Sequence, residues 1–395
     1  MSDFQLAFPT LPGLEAVLAE EVRAAGGTEV SVGRRVVTAR GNMDTVYRSN
    51  LQLRTALRVL INVDNFRVRH EQDLYDRLRA TNWRQYLMPE GTLLVDVIDA
   101  QRFFRNAHFI AQLTKDAVVD QFRDKYGTRP GVDRNHPDLR IHLRITGRGE
   151  VDLSVDSSGD GLHRRGYRHR TGEAPINEVL AAGLLRLAGY TGEQVLVDPM
   201  CGSGTILAEA AMLATRQPPG LLRKFGFERW PEFDLPAYSV VRQEALDGMR
   251  PAPHAIIGSD IDGVAVAISR ATLERARVLS SVTLYDLPFA ELSPPGMVDP
   301  AVDKLIVTNP PYEMRLQTGD ITGFYREMGD TFKQNWSGYQ AWIISANPQA
   351  VKSVGLRTSR KIPVMNGPVE ARFVRYDLYR GASDPSKGEP PAVRE

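Results

Sequence analysis

Five short segments in the second half of the chain are almost wholly apolar and alternate with helix-length stretches: Gln194 to Val197, Ala255 to Ile257, Val282 to Leu284, Lys304 to Val307 and Ala341 to Ile344. A strand with one solvated face alternates apolar and polar residues, whereas a strand apolar throughout is covered on both faces. Helices recurring between such strands predict an α/β fold with a mostly parallel sheet. The pattern begins beyond Ser157 to Gly172, a Gly-, Ser- and Arg-rich stretch that reads as a connection between domains. A chain of 395 residues exceeds what one hydrophobic core serves, so two or three domains are expected.

The first half has a different texture. A helical pattern opens at Leu11-Pro12-Gly13-Leu14-Glu15, runs through Leu18, Glu21 and Val22, and stops at Gly26-Gly27. Glu29 to Arg40 then alternates like one strand, Met43 to Leu57 is helical, and Val59 to Val68 is β-rich. Further on, Asp73 to Trp83 reads as a helix, Thr92 to Ile98 as a strand and Asn106 to Tyr126 as a long helix. Arg140 to Ile145 and Glu150 to Val155 read as a β-pair joined across Gly147-Arg148-Gly149.

Bulk properties exclude more than they identify. The net charge of +1 does not announce a nucleic-acid binder, so that case must rest on local patches. One cysteine, Cys201, rules out an intrachain disulfide and a Cys-based zinc site and suits a reducing cytoplasm. The seven histidines lack metal-ligand spacing, so no metal is expected. Residues 1 to 10 carry no signal-peptide pattern, and no apolar run of about 18 residues occurs, so neither secretion nor a membrane span is expected. Nothing in the residues sets an oligomeric state.

The strongest local signal is Val195-Leu196-Val197-Asp198-Pro199-Met200-Cys201-Gly202-Ser203-Gly204-Thr205, a strand, a glycine turn and the start of a helix. Glycines there let the backbone approach a ligand at the carboxyl edge of the sheet. The spacing is not that of the dinucleotide fingerprint, and Asp198 before the turn would repel phosphates and suit a cationic ligand such as a sulfonium. An ordinary βα turn would look the same up to this point, and the signals that follow narrow it. The next strand ends in Ser259-Asp260-Ile261-Asp262, with Asp260 placed to accept from both ribose hydroxyls of an adenosine and Asp262 as a helix N-cap. The third ends in Asp286-Leu287, where the carboxylate can accept from an adenine amine. One strand-end aspartate is an ordinary cap or turn residue; three on successive strands are a pattern.

The second strong signal, Asn309-Pro310-Pro311-Tyr312, follows the fourth apolar strand. An exocyclic base amine is a poor nucleophile because its lone pair is delocalised into the ring. Two acceptors on its N–H groups, the Asn309 side-chain oxygen and the Pro310 carbonyl, draw the nitrogen toward tetrahedral geometry. Consecutive prolines hold φ near −65° and keep those carbonyls rigid. Tyr312 offers a ring on which an unstacked base can lie.

With these pieces in order, residues from about Gly172 to Arg380 resemble the class I S-adenosylmethionine methyltransferases that alkylate amines. Asn106 to Val119, Gly131 to Arg140, Ser158 to Arg168 and Ala174 to Ala182 resemble the THUMP-containing methyltransferases. Within that group the chain is most similar to the guanine-N2-methylating half of the bacterial large-subunit rRNA enzymes. The resemblance implies a ferredoxin-like segment (1–64), a THUMP domain (65–160), a basic linker (161–174), a methyltransferase domain (175–382) and a disordered tail (383–395). It implies S-adenosylmethionine held by Asp198, Pro199, Met200, Cys201, Gly202, Gly204, Thr205, Asp260, Ile261, Asp286 and Leu287, with Glu178 beside them. It implies Asn309, Pro310, Pro311 and Tyr312 as catalytic residues. Some relatives carry a second methyltransferase domain beyond this point; since the sequence stops at residue 395, that activity is expected to be absent.

The expected substrate is N2 of a guanosine in 23S rRNA, free or in a large-subunit assembly intermediate. Guanosine in tRNA, adenine N6 in DNA, and a non-catalytic RNA-binding assembly factor are the alternatives. The densest basic run, His163 to Arg170, offers Arg164, Arg165, Arg168 and Arg170 to phosphates and Tyr167 for stacking. Arg123, Lys125, Arg129 and Arg134 are a weaker set. An insertion from Arg216 to His254 carries Arg223, Lys224, Phe225, Phe227 and Trp230; its aromatics are expected to be packed rather than to touch RNA.

Overall fold

The computed structural model describes residues 3–100, 103–168, 176–296, 298–311 and 320–379, and its N-terminal half builds one continuous eight-stranded sheet. The strands are β1 (Phe4–Pro9), β2 (Thr28–Gly33), β3 (Val36–Gly41), β4 (Leu60–Arg67), β5 (Thr92–Ile98), β6 (Gly131–Val132), β7 (Leu139–Ile145) and β8 (Glu150–Asp156), in the order β2-β3-β1-β4-β8-β7-β5-β6. Antiparallel pairing joins β4 to β1 on one side and to β8 on the other, so the sheet is unbroken across residues 64 and 65. Helices α1 (Glu15–Ala24), α2 (Met43–Gln52), α3 (Glu71–Ala80) and α4 (Ala107–Tyr126) accompany it. The Asn106 side chain caps α4 by accepting from Phe109 N, and Gly127 ends the helix at φ +72°.

The stretch read as one strand, Glu29 to Arg40, is a hairpin. Gly33 pairs with Val36, and Arg34-Arg35 turn between them with Arg35 at φ +61°. Neither central position is Gly or Asn, which is why the alternation looked continuous. The turn is held from outside, by the Glu15 carboxylate accepting from Arg35 N at 3.0 Å.

The insertion belongs to this same unit. Chain segments Met1–Leu187 and Thr215–Pro251 form one compact unit, which also holds α5 (Glu178–Leu187) and α7 (Leu235–Asp247). Phe225, Phe227, Trp230, Tyr238 and Val241 are buried in a core shared with Tyr47, Leu51 and Tyr86. The Phe227 ring centroid lies 4.8 Å from that of Tyr47, 5.3 Å from Phe225 and 5.2 Å from Tyr238. The aromatics are packed, as the sequence led us to expect.

Segments Ala188–Ala214 and Ala252–Glu395 form the second unit. Its strands are β9 (Val195–Asp198), β10 (Ile256–Asp260), β11 (Thr283–Asp286), β12 (Lys304–Thr308), β13 (Gln340–Ser345), β14 (Thr358–Asn366) and β15 (Val369–Asp377), ordered β11-β10-β9-β12-β13-β15-β14. The first five are parallel neighbours and coincide with the five apolar segments. Helices α6 (Thr205–Ala214), α8 (Gly263–Arg275), α9 (Ile321–Asn335) and α10 (Pro348–Ser353) lie between strands in sequence. The β14–β15 hairpin was not foreseen. Its strands are antiparallel and carry exposed polar residues, so they lack the all-apolar signature of the parallel core. Among the described residues, no helix is long and apolar enough to cross a membrane.

Phe227 is fully buried among four other rings, so Phe227→Ala should destabilise the N-terminal unit by about 3–5 kcal/mol. Urea unfolding followed by tyrosine and tryptophan fluorescence checks this; a loss below about 1 kcal/mol would mean that the insertion is not part of the core.

Candidate active site

Reading outward from β9, strand order runs one way to β10 and β11 and the other way to β12 and β13. The carboxyl ends of β9 and β12 therefore flank the point where an open parallel sheet binds ligands. The sequence places Asp198 at the end of β9 and Asn309 directly after β12.

Asp198 is 1% exposed, and its Oδ1 accepts from Thr308 Oγ1 at 2.7 Å and from Met200 N at 3.4 Å. Burial pushes its carboxyl up to about 7; the Thr308 and Met200 hydrogen bonds oppose that, and the nearby Asp260 charge adds to it. The turn beyond is held by its neighbours. Asp260 Oδ2 accepts from Gly202 N at 2.8 Å, Ser269 Oγ donates to Gly202 O at 2.6 Å, and Cys201 N donates to Ser259 O at 2.9 Å. The Cys201 thiol is buried, which pushes its pKa well above the ordinary range, so it is no nucleophile.

The two glycines of the turn serve different ends. Gly204 has φ +75°, and a Cβ there would meet Ser269 Oγ at 2.9 Å, so it is small because α8 is close. Gly202 has φ +51°, and a Cβ there would meet nothing within 4 Å. The turn thus leaves open space beside two carboxylates, a donor set that fits a cationic, hydroxyl-rich ligand such as S-adenosylmethionine. Along the edge, Asp260 pairs in register with Asp286, whose Oδ2 would lie 2.7 Å from a Cβ at Gly263. Asp262 caps α8 through Val264 N at 2.9 Å, as its position predicted. Leu287 is tied back by Leu287 N to Asp260 O at 3.1 Å, and Ile261 is 76% exposed beside it, an apolar surface open to a ring.

Thr308 brings the second motif to the first, since its hydroxyl holds Asp198 and its carbonyl leads into half-buried Asn309, buried Pro310 and half-buried Pro311. Sequence reasoning missed what holds this turn on its far side. Tyr325 Oη on α9 donates to Pro311 O at 3.2 Å and also lies 3.0 Å from Ser345 Oγ at the end of β13. Burial pushes the Tyr325 phenol up to about 12, so it remains a donor at neutral pH. A tyrosine inside a helix and a serine at a strand end carry no local signal of this task. Tyr312 and Arg170 lie outside the described residues.

Of the other expected site residues, Pro199 lies in the turn after β9 and Thr205 opens α6, whereas Glu178, Arg164, Arg165, Tyr167 and Arg168 are in the N-terminal unit. There Arg168 Nε lies 3.3 Å from Glu178 Oε1, and Arg168 Nη2 donates to Ile176 O at 2.7 Å. Two expected RNA contacts are corrected. Arg165 is 2% exposed and donates to Leu162 O at 2.6 Å and to Arg54 O, and Tyr167 has no exposed surface. A buried guanidinium engaged by carbonyls does not fork onto a phosphate, and a ring without exposed surface does not stack on a base. Arg164 is exposed and pairs with Asp160 at 3.4 Å.

Three family models match the chain: an RlmL ferredoxin-like domain over residues 5–60, a THUMP domain over 68–156 and an RMKL-like methyltransferase domain over 165–375. The Synechocystis sp. chain slr0064 is 36% identical over 370 residues, covering 93% of this chain and 95% of that one. The ribosomal RNA large subunit methyltransferase K/L of Syntrophotalea carbinolica is 36% identical over 384 residues, 94% of this chain. The chain spans about half the length of that relative, 53%. The crystal structure of SMU.472 complexed with SAH superposes with a TM-score of 0.84 at 28% identity, covering 96% of this chain and 99% of that one.

Asp198 supplies a test by pH. A carboxyl raised to about 7 in the fold but near 4 when unfolded gains protons on folding, so its stability contribution is complete below pH ~4. That contribution is lost as the pH rises from ~4 to ~7. Asp198→Asn has no proton to lose. Without cofactor, its melting temperature relative to the parent chain should therefore climb between pH 4.5 and 7.5, and a flat difference would contradict the raised carboxyl.

Proposed function

Because the chain belongs to the RMKL-like methyltransferase family, we propose that it transfers a methyl group from S-adenosylmethionine to the exocyclic N2 amine of a guanosine in 23S rRNA. The observation that carries this reading is the adjacency at the β9–β12 edge: Asn309-Pro310-Pro311 begins one residue beyond the hydroxyl that holds Asp198. The THUMP match and the K/L relatives support RNA, and ribosomal RNA in particular, as the substrate.

Within this reading Asp260, Asp286 and the Gly202 turn would hold the cofactor, with Ile261 and Leu287 offering apolar contact and the Asp198 carboxyl supporting the turn. Glu178 is assigned to the same task by family resemblance. When bound, S-adenosylmethionine supplies an electrophilic methyl group. The Asn309 side-chain oxygen and the Pro310 carbonyl accept the two N–H groups of the base amine and concentrate its lone pair on the nitrogen. Tyr325, itself 3.0 Å from Ser345 Oγ, positions the turn that carries these acceptors by donating to the Pro311 carbonyl. No strong general base is required, because an alkylated nitrogen loses its proton readily to water.

Asn309→Ala should lower kcat by about two orders of magnitude or more, with cofactor affinity nearly unchanged, since positioning and charge stabilisation at the amine supply about that much. Single-turnover methyl transfer together with calorimetry of SAH binding separates the two effects; full activity in the variant would remove Asn309 from the amine site. Labelled methyl transfer to 23S rRNA, tRNA and duplex DNA side by side, followed by nucleoside mass spectrometry, tests the substrate. Appearance of N6-methyladenine, or of product in tRNA alone, would overturn the assignment.

A further inference from the structure

Within the connection between the two halves of the sequence, residues 159–168 form one wall of a cleft rather than a free basic track. Residues 159–168, the insertion at 223–229 and the loop at 135–137 enclose about 710 Å³ within the N-terminal unit. Its lining holds six Arg and Lys side chains against three carboxylates, a surplus of three positive charges in a chain whose net charge is +1.

Those cations divide into two kinds. Arg223 and Arg165 are structural. Arg223 Nη1 donates to Gly161 O at 2.6 Å and Nη2 donates to Asp160 O at 2.6 Å and Ser158 O at 3.0 Å, so one guanidinium from the insertion gathers the connecting segment into a wall. The partners of Arg223 here are neutral carbonyls, so its charge still contributes to the field in the cleft. His163 registers that field: burial, and then the charges of Arg164, Arg165, Arg58 and Arg223, hold it down to about 4, and it is neutral at pH 7. Arg164, Lys224 and Arg229 are exposed at the same cleft; Arg164 pairs with Asp160 at 3.4 Å, and Arg229 donates to His136 O at 3.3 Å and lies 3.8 Å from Asp138 Oδ1.

We propose that this cleft binds the phosphodiester backbone of the RNA substrate, with Arg164, Lys224 and Arg229 as the phosphate contacts and Arg223 as the residue that positions the wall. The proposal rests on the reading above that RNA is the substrate. The shared chemistry is phosphate, and the division of cations favours a backbone over a small anion. Buried Arg165 and half-buried Arg223 are engaged by carbonyls, while Arg164, Lys224 and Arg229 are exposed, long side chains spread along the rim, suited to successive phosphates of a polyanion.

The experiment measures binding of the full chain to an in-vitro 23S rRNA transcript by fluorescence anisotropy at several salt concentrations. Lys224→Gln with Arg229→Gln should weaken binding about tenfold and lower the slope of log K against log salt by about two, one per lost phosphate contact. SAH affinity and melting temperature should not change. Arg34→Gln with Arg40→Gln, removing two exposed charges from the β2–β3 hairpin, should leave the rRNA affinity as in the parent chain. A double cleft variant that stays folded and binds rRNA with unchanged affinity and slope overturns the proposal, while leaving the rRNA reading intact if the parent chain binds and methylates the transcript. A parent chain that neither binds nor methylates it overturns both. Inorganic phosphate and ATP form the third arm. If either binds saturably in a Lys224- and Arg229-dependent way while rRNA affinity does not respond, the occupant is a small phosphate and the backbone assignment falls.

Discussion

A single hydrogen bond, from the Thr308 hydroxyl to the Asp198 carboxyl, ties together the two halves of the candidate chemistry. Parallel pairing of β9 and β12 brings the two strand ends to one edge, but pairing alone leaves a carboxyl buried beside a polar turn. Leaving such a group without a partner would cost about 1–3 kcal/mol or more. The 2.7 Å contact meets that demand and sets where the chain turns into Asn309. The glycine turn is fastened at its other side by Asp260 and Ser269, and the Asn-Pro-Pro turn by Tyr325 and Ser345. The two motifs are therefore arranged by residues outside both of them.

This explains what could be read from the residues and what could not. Four of the five parallel strands were legible because burial on both faces forces an unbroken apolar run; β11, at the edge of the sheet, was found by its apolar residues although most of it is exposed. The α4 cap at Asn106 and the α8 cap at Asp262 were legible because capping needs particular side chains at particular offsets. The strand-end aspartates and Asn309 were legible for the same reason: their chemistry restricts residue type. Thr308, Ser269, Tyr325 and Ser345 were not, since a hydroxyl in a strand or helix has many ordinary uses and its partner is set by tertiary structure. The β2–β3 turn and the β14–β15 hairpin escaped for a related reason, Arg34-Arg35 being no turn signal and mixed polar strands no core signal.

The basic run shows the same limit with opposite consequence. Composition treats Arg164 and Arg165 alike, yet one is at the surface and the other is 2% exposed and bonded to carbonyls. Arginine suits both tasks, because its planar fork satisfies several carbonyls at once as readily as it meets a phosphate. Only the path of the backbone decides which task a given arginine performs. Here that path is dictated by Arg223, which sequence order places 59 residues after Arg164 and the fold places against its carbonyl.

The path of the chain between the two compact units also bears on how this protein can be taken apart. Because Thr215–Pro251 is spliced into the first unit from within the second, the backbone passes from one to the other three times, after residues 187, 214 and 251. A fragment ending at Leu187 would lack Phe225, Phe227 and Trp230 and would be left with an open hydrophobic hollow around Tyr47. The converse fragment would carry those rings into water with nothing to cover them. Dissection or domain exchange in this protein is therefore compatible with folding only if the 215–251 excursion travels with the N-terminal piece.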